Sequence, residues 1–299
     1  MMKRLLILFL VLFMGIMTAC GAGEEAGGTT GKNKSGGSSL DELKEKGTVT
    51  IGFSNEAPYA YQDPKTGELK GAAVEIATKV FQNMGIKNVE GQIAEWNQLI
   101  PGVKAGKFDV ITAGMAILPE RAAQVDFGEP EIQYGEGLIV EKGNPLELHS
   151  YTDIADNPDV TVAVMSGATE VEFLKEMGVS EDQILEVADI PATFSAVQSG
   201  RAQATTGTEM TVKMALQSSN QNALEFVEDF EQPDIKGVPS YGAAGFAQGN
   251  DELREAYNAE LKKLKENGEI LDLITPSGFG EGNLVPNDLT TEQVIESLK

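Results

Sequence analysis

From Thr48 to Ala247 the chain switches repeatedly between a two-residue and a 3.6-residue apolar period, and that alternation is the tightest constraint on its fold. Val49, Ile51 and Phe53 alternate with polar or small residues, which predicts a strand over Thr48 to Phe53. Ala73, Ala77, Val80, Phe81 and Met84 then fall on one helical face, and Gly85 stops the helix. A strand at Val89 to Ile93, a short helix at Asn97 to Lys104 and a strand at Phe108 to Thr112 follow. After a strand at Gly137 to Glu141, the alternation restarts with a strand at Val160 to Met165 and a helix from Thr169 to Met177. A strand at Gln183 to Val187, a helix at Ala192 to Gln198 and a strand at Ala202 to Thr206 complete the second unit. Tyr241 to Ala247 reads as a returning strand, and Asp251 to Asn267 as a helix with Leu253, Tyr257, Leu261 and Leu264 on one face. Thr290 to Leu298 reads as a short surface helix. Strands alternating with helices of this length imply an α/β fold of mainly parallel sheets, with ligand loops at the carboxyl ends of the strands.

The second unit interrupts the first, which implies two lobes with a cleft between them and more than one chain crossing. The expected division is 40–141 with 242–299 for lobe 1 and 142–241 for lobe 2.

The segment before residue 40 has another character. Lys3 and Arg4 precede an apolar run from Leu5 to Met17, and Met17-Thr18-Ala19-Cys20 ends it with small residues before a cysteine. This is a secretory leader, too short and wrongly flanked for a membrane span. It resembles a bacterial lipobox, which implies cleavage after residue 19 and lipidation of Cys20. Residues 20–39, rich in Gly, Ser, Thr and Lys, read as a lipidated flexible tether. Cys20 is the only cysteine, so neither an internal disulfide nor a thiolate metal site is expected. Removing the leader's two basic residues takes the formal charge from −23 to −25. So acidic a chain is a poor partner for nucleic acid or anionic lipid headgroups.

Ile111 to Phe127 reads as an apolar strand, a turn at Gly114, and Arg121 placed just past Pro119. A guanidinium held by a stiff turn is a fork for a small carboxylate. Glu56 and Tyr59 lie in the loop Ser54 to Tyr61, stiffened by Pro58, and Trp96 is the only tryptophan; all three fall at the expected ligand edge of the sheet. The single histidine, His149, has no partner at metal-ligand spacing, and the glycine-rich run from Ser277 to Gly282 lacks the Lys and Ser/Thr of a phosphate loop.

Glu56-Ala57-Pro58-Tyr59, Gly106-Lys107-Phe108-Asp109, Pro119-Glu120-Arg121 with Val125-Asp126-Phe127, and Gly249 to Leu271 together resemble the type II periplasmic binding proteins of polar amino-acid uptake systems. The resemblance extends from Gly47 to about Leu273. Within that family, the run from Ile51 to Tyr61, Lys142-Gly143-Asn144-Pro145 with His149-Ser150-Tyr151, and Ser166 to Val171 are similar to the ectoine and hydroxyectoine binders of ABC importers. The resemblance implies that Arg121 and Thr169 hold the ligand carboxylate, that Glu56 pairs with its cationic ring nitrogens, and that Tyr59 and Trp96 wall it. It also marks two departures. Thr208 stands where binders of ordinary α-amino acids usually carry an aspartate, and Ala116 stands where the ectoine-type pattern has a third aromatic ring.

A zwitterion with a diffuse cation fits an arginine at one end and a carboxylate with aromatic faces at the other. The function expected is therefore a monomeric, lipid-anchored, extracytoplasmic binding protein that closes on ectoine or hydroxyectoine and hands it to ABC permease and ATPase subunits. The alternatives are a polar or cationic amino acid, a betaine-like solute, or presentation of ligand to a sensor. The fold also hosts a few dehydratases and cell-wall lyases. No paired nucleophile and base and no metal set stands in any motif, so no catalysis and no cofactor is expected.

Overall fold

A computed structural model describes residues 38–219 and 222–299. The expected leader and the lipidation site Cys20 lie outside the described residues, as does the tether up to residue 37. Ser38 and Ser39, at the end of the expected tether, are already part of the fold. Ser39 forms a capping box with Glu42 at the start of α1, Leu40–Lys46, whose Leu40 and Leu43 are buried.

The first lobe follows the predicted alternation. Its elements are β1 Thr48–Phe53, the hairpin β2 Tyr61–Gln62 and β3 Leu69–Lys70, α2 Ala72–Asn83, β4 Asn88–Ile93, α3 Leu99–Lys104 and β5 Val110–Ala116. They continue with α4 Pro119–Ala122, β6 Asp126–Phe127 and β7 Ile132–Tyr134. The second lobe holds β8 Glu136–Glu141, α5 Tyr151–Asp156, β9 Val162–Met165, α6 Glu170–Glu176, β10 Ile184–Val187, α7 Ile190–Gln198, β11 Ala204–Thr208, α8 Glu209–Ser218 and β12 Leu224–Phe226. The chain then returns to the first lobe with β13 Ser240–Phe246, α9 Asp251–Glu266, α10 Glu269–Ile274 and α11 Thr291–Ser297.

The first sheet runs β4-β1-β5-β13-β6, with β7 also paired to β13; the second runs β10-β9-β11-β8-β12. In the first, β1 pairs parallel with β4 and β5 while β13 runs antiparallel to β5. In the second, β9 pairs parallel with β10 and β11 while β8 runs antiparallel to β11 and β12. Both sheets are therefore mixed, each with one strand returned from the other side of the chain's crossings.

Strands buried on both faces explain the near-continuous apolar runs. Along β9, Val162 and Val164 face one core while Ala163 and Met165 face the other. In the first sheet, Val49, Ile51 and Phe53 pack under α2 and α9, and Ile111, Ala113 and Met115 pack on the side of α3 and α11.

Strand pairing moves one expected boundary. Residues 136–141 fall in lobe 1 of the expected division, yet β8 bonds to β11 and β12 in the second sheet, and the crossing is the single residue Gly135 after β7. The return crossing spans residues 227–239, and β13 starts at Ser240, two residues before the expected boundary. Hydrophobic pattern alone cannot assign β8, because Gly137 to Val140 is apolar enough to be buried in either sheet.

The turn expected at Gly114 is also corrected. The strand β5 runs through it to Ala116, with Gly114 at φ +62° and a register shift opposite Ala243 and Gly245. Glycine reaches that left-handed conformation without steric cost, so the chain bulges instead of turning.

Candidate functional site

Arg121 lies in α4, the short helix that follows β5. Pro119 occupies the first turn of α4, and Arg121 N–H donates to Leu118 O at 3.1 Å, which fixes the direction of the side chain. The guanidinium is buried and gives Nη1–H to Ala116 O at 3.2 Å and Nη2–H to Gly167 O at 3.1 Å. Gly167 belongs to the second lobe, in the loop between β9 and α6. The same carbonyl accepts Trp96 Nε1–H at 3.0 Å, and Arg121 Cζ stands 5.6 Å from the Trp96 ring centroid. A guanidinium carries five N–H donors, so this arrangement leaves capacity for a carboxylate. Burial lowers the pKa of Arg121, but an arginine stays charged.

Glu56 follows β1 in a tight turn: its N–H donates to Ala60 O at 2.9 Å, and its C=O accepts from Tyr59 and Ala60 at 3.0 Å each. Its carboxyl crosses to the second lobe, where Oε1 accepts the Thr211 hydroxyl at 2.7 Å. Thr208 donates to Thr211 at 2.9 Å, so the two threonines form a relay that ends on Glu56. Burial pushes the Glu56 carboxyl up to about 7; the Thr211 hydrogen bond opposes this and the charge of Glu170 adds to it. Tyr59 is buried, with its ring edge-on to Tyr134 at 5.2 Å and Phe279 at 5.1 Å, and its hydroxyl makes no hydrogen bond of good geometry among the described residues.

The second lobe brings acids of its own. Thr169 precedes α6, and its hydroxyl donates to Glu170 Oε2 at 3.3 Å instead of capping the helix. Glu136, the first residue of β8, is 1% exposed, and neither of its carboxylate oxygens meets a donor among the described residues. Burial and the adjacent Glu170 carboxyl hold Glu136 well above the usual carboxylate range.

Glu56, Tyr59, Trp96, Arg121, Thr169 and Thr208 thus line one cavity, with Tyr134, Glu170 and Thr206 beside them. Its volume in this conformation is ≈ 30 Å³, room for about two waters, so a ligand the size of an amino acid enters only when the lobes part. Ala116 is the exception among the expected residues. Its side chain lies in the first lobe's core and borders a groove with Ile235 to Tyr241, and only its carbonyl serves the site, by holding Arg121. A third ring faces the cavity from elsewhere: Tyr134 on β7, whose hydroxyl donates to Gly114 O at 2.7 Å.

Sequence reasoning misses Tyr134, Glu136, Glu170 and Thr211. A signal exists for Glu136, an acid at the head of an apolar strand between Gly135 and Gly137. None exists for Thr211, because the helix α8 that carries it is not among the expected elements.

The family model for bacterial extracellular solute-binding proteins, family 3, matches residues 49–276. A protein of Sinorhizobium fredii named "Probable amino-acid ABC transporter periplasmic-binding protein" is 35% identical over 263 residues, 86% of each chain. The L-cystine-binding protein TcyA of Bacillus subtilis is 26% identical over 94% of this chain and 98% of its own. Among solved structures, EhuB in complex with hydroxyectoine superposes with a TM-score of 0.74 at 36% identity, covering 81% of this chain and 92% of that one.

Proposed function

Because the chain belongs to the family 3 bacterial extracellular solute-binding proteins, we propose that it captures ectoine or hydroxyectoine by closure of its lobes and delivers it to an ABC permease. The coarser description is an extracytoplasmic, non-catalytic solute-binding component of an ABC importer for polar amino acids or compatible solutes. One observation carries the finer reading. A single cavity is lined by Arg121 and Glu56, both from the first lobe, and each is hydrogen-bonded to the second. A carboxylate at Arg121 and Thr169, with a delocalised cation at Glu56 between Tyr59 and Trp96, satisfies both poles of that cavity. Hydroxyectoine bound to EhuB, at 36% identity, supports the same ligand class. Anchoring by a lipid on Cys20 belongs to this reading and rests on the small residues that precede it.

A cationic amino acid is the second reading, favoured by the excess of carboxyls: Glu56 and Glu170 line the cavity, with Glu136 next to Glu170, against the single guanidinium. Calorimetry against ectoine, hydroxyectoine, glycine betaine, arginine and glutamine separates the two. Trp96 fluorescence gives an independent readout, since parting the lobes breaks its bond to Gly167. Heat with arginine and none with ectoine would reject the first reading.

A further inference from the structure

Glu170 lines the cavity from the second lobe, 3% exposed, and Glu136, 1% exposed, is its neighbour outside the cavity lining. Among the described residues Glu170 forms no ion pair with a lysine or arginine; the hydrogen bond it does accept, from Thr169, is long at 3.3 Å. Buried carboxylates without partners are costly, and two of them side by side more so. Glu136 and Glu170 are neighbours: the Glu170 carboxyl adds to burial in holding Glu136 well above the usual carboxylate range, and neither Glu136 oxygen meets a donor among the described residues. A proton held by Glu136 and donated to Glu170 gives each of the two carboxyls a partner. The Gln232 side-chain amide clamps the Glu136 backbone, accepting from its N–H at 2.8 Å and donating to its C=O at 2.7 Å, which fixes where the side chain starts.

We propose that Glu170 is a ligand-binding carboxylate, positioned by Glu136 through a shared proton, and that the pair selects cationic groups bearing N–H donors over quaternary ammonium groups. This rests on the reading of the cavity as the ligand site. When the ligand carboxylate takes the Thr169 hydroxyl, Glu170 loses that donor and its lone pairs turn to the ligand. An amidinium, guanidinium or primary ammonium supplies N–H groups to fill them. A trimethylammonium supplies none, and desolvating Glu170 against methyl groups leaves acceptors unpaired.

The test uses the full chain with ectoine, arginine and glycine betaine as probes, and the variants Glu170→Gln, Glu136→Leu and Glu136→Gln. Glu170→Gln should fold, with an unchanged or raised Tm, and lose roughly 10- to 100-fold in affinity for whichever N–H cation the wild type binds. Glu136→Leu, which removes the shared proton, should lose roughly 3- to 10-fold in affinity, and the conservative Glu136→Gln, whose amide N–H replaces that proton, should recover most of it. In the ligand-free protein, an infrared difference between wild type and Glu136→Gln at pH 7 should show one protonated-carboxyl band that the variant lacks. Unchanged affinity in folded Glu170→Gln, binding of glycine betaine alone by the wild type, or absence of that band would each overturn the inference. A wild type that binds no probe, with the band present, would instead overturn the functional reading on which the ligand role stands.

Discussion

Thr211 donates its hydroxyl to Glu56 Oε1 over 2.7 Å, and the two residues belong to different lobes. The bond latches the lobes together and also keeps Glu56 from rising further above its ordinary value, since burial and the charge of Glu170 push it up and Thr211 pulls it down. Thr211→Val keeps the shape and removes the donor. Glu56 should then titrate above about 7, so less of it is ionised at pH 7 and a cationic ligand binds more weakly, by roughly 3- to 10-fold. Raising the pH restores the carboxylate, so the deficit should shrink between pH 7 and pH 9. Calorimetry across that range checks it; a deficit independent of pH would separate the latch from the titration of Glu56.

Much of this architecture is legible from period alone, because strands sandwiched between helices must be apolar on both faces and helices on one. The sequence locates β1, β4, α2 and α9 within a residue or two of the observed limits. Local pattern does not encode pairing partners, so it cannot show that Gly135 separates a strand of one sheet from a strand of the other. The site is legible where a rigid element delivers a side chain, as Pro119 does for Arg121 and the turn at Glu56 to Ala60 does for Glu56 and Tyr59. It is illegible where two distant segments meet. Glu136 and Glu170 acquire their chemistry only because the fold buries them against each other.

Gly114 tests the bulge in β5. At φ +62° a Cβ there would lie 2.5 Å from Tyr59 Cδ1, so Gly114→Ala combines backbone strain with a clash against a ring packed between Tyr134 and Phe279. Gly200 has φ +72°, and a Cβ there would meet nothing within 4 Å, which makes Gly200→Ala a control for strain alone. Chemical denaturation should show Gly114→Ala losing about 1–3 kcal/mol more than Gly200→Ala. Ligand affinity should fall in the first variant only, since only there is Tyr59 displaced from the cavity wall.

Glu131 predicts how stability responds to pH. It is 1% exposed and accepts the Tyr257 hydroxyl at 2.6 Å. Burial raises its carboxyl to about 7, against the opposing pull of Tyr257 and Lys265. A carboxyl raised in the folded state binds its proton more tightly there than in the unfolded chain. Its contribution to stability is therefore complete below the ordinary value of 4.5 and is lost as pH climbs through about 7. Glu131→Gln has no such dependence, and its amide oxygen can still accept from Tyr257. Relative to wild type, the variant should gain about 1–3 kcal/mol in stability between pH 5 and pH 8. Parallel stability curves for the two proteins would refute this.

Arg121 joins three functions in one side chain: it caps the end of β5 through Ala116 O, reaches the second lobe through Gly167 O, and faces the cavity with its remaining donors. Arg121→Ala should weaken binding of a carboxylate ligand by about 2–5 kcal/mol, because a buried carboxylate is left without its partner. Arg121→Lys keeps the charge, but one ammonium cannot reach both carbonyls and also grip two carboxylate oxygens, so it should recover less than half of that loss. Both variants also remove a bond that draws the lobes together. Solution scattering of the ligand-free proteins should therefore show a larger radius of gyration for Arg121→Ala than for wild type, and saturating ligand should bring the two together. An unchanged radius with lost affinity would assign Arg121 to ligand binding alone.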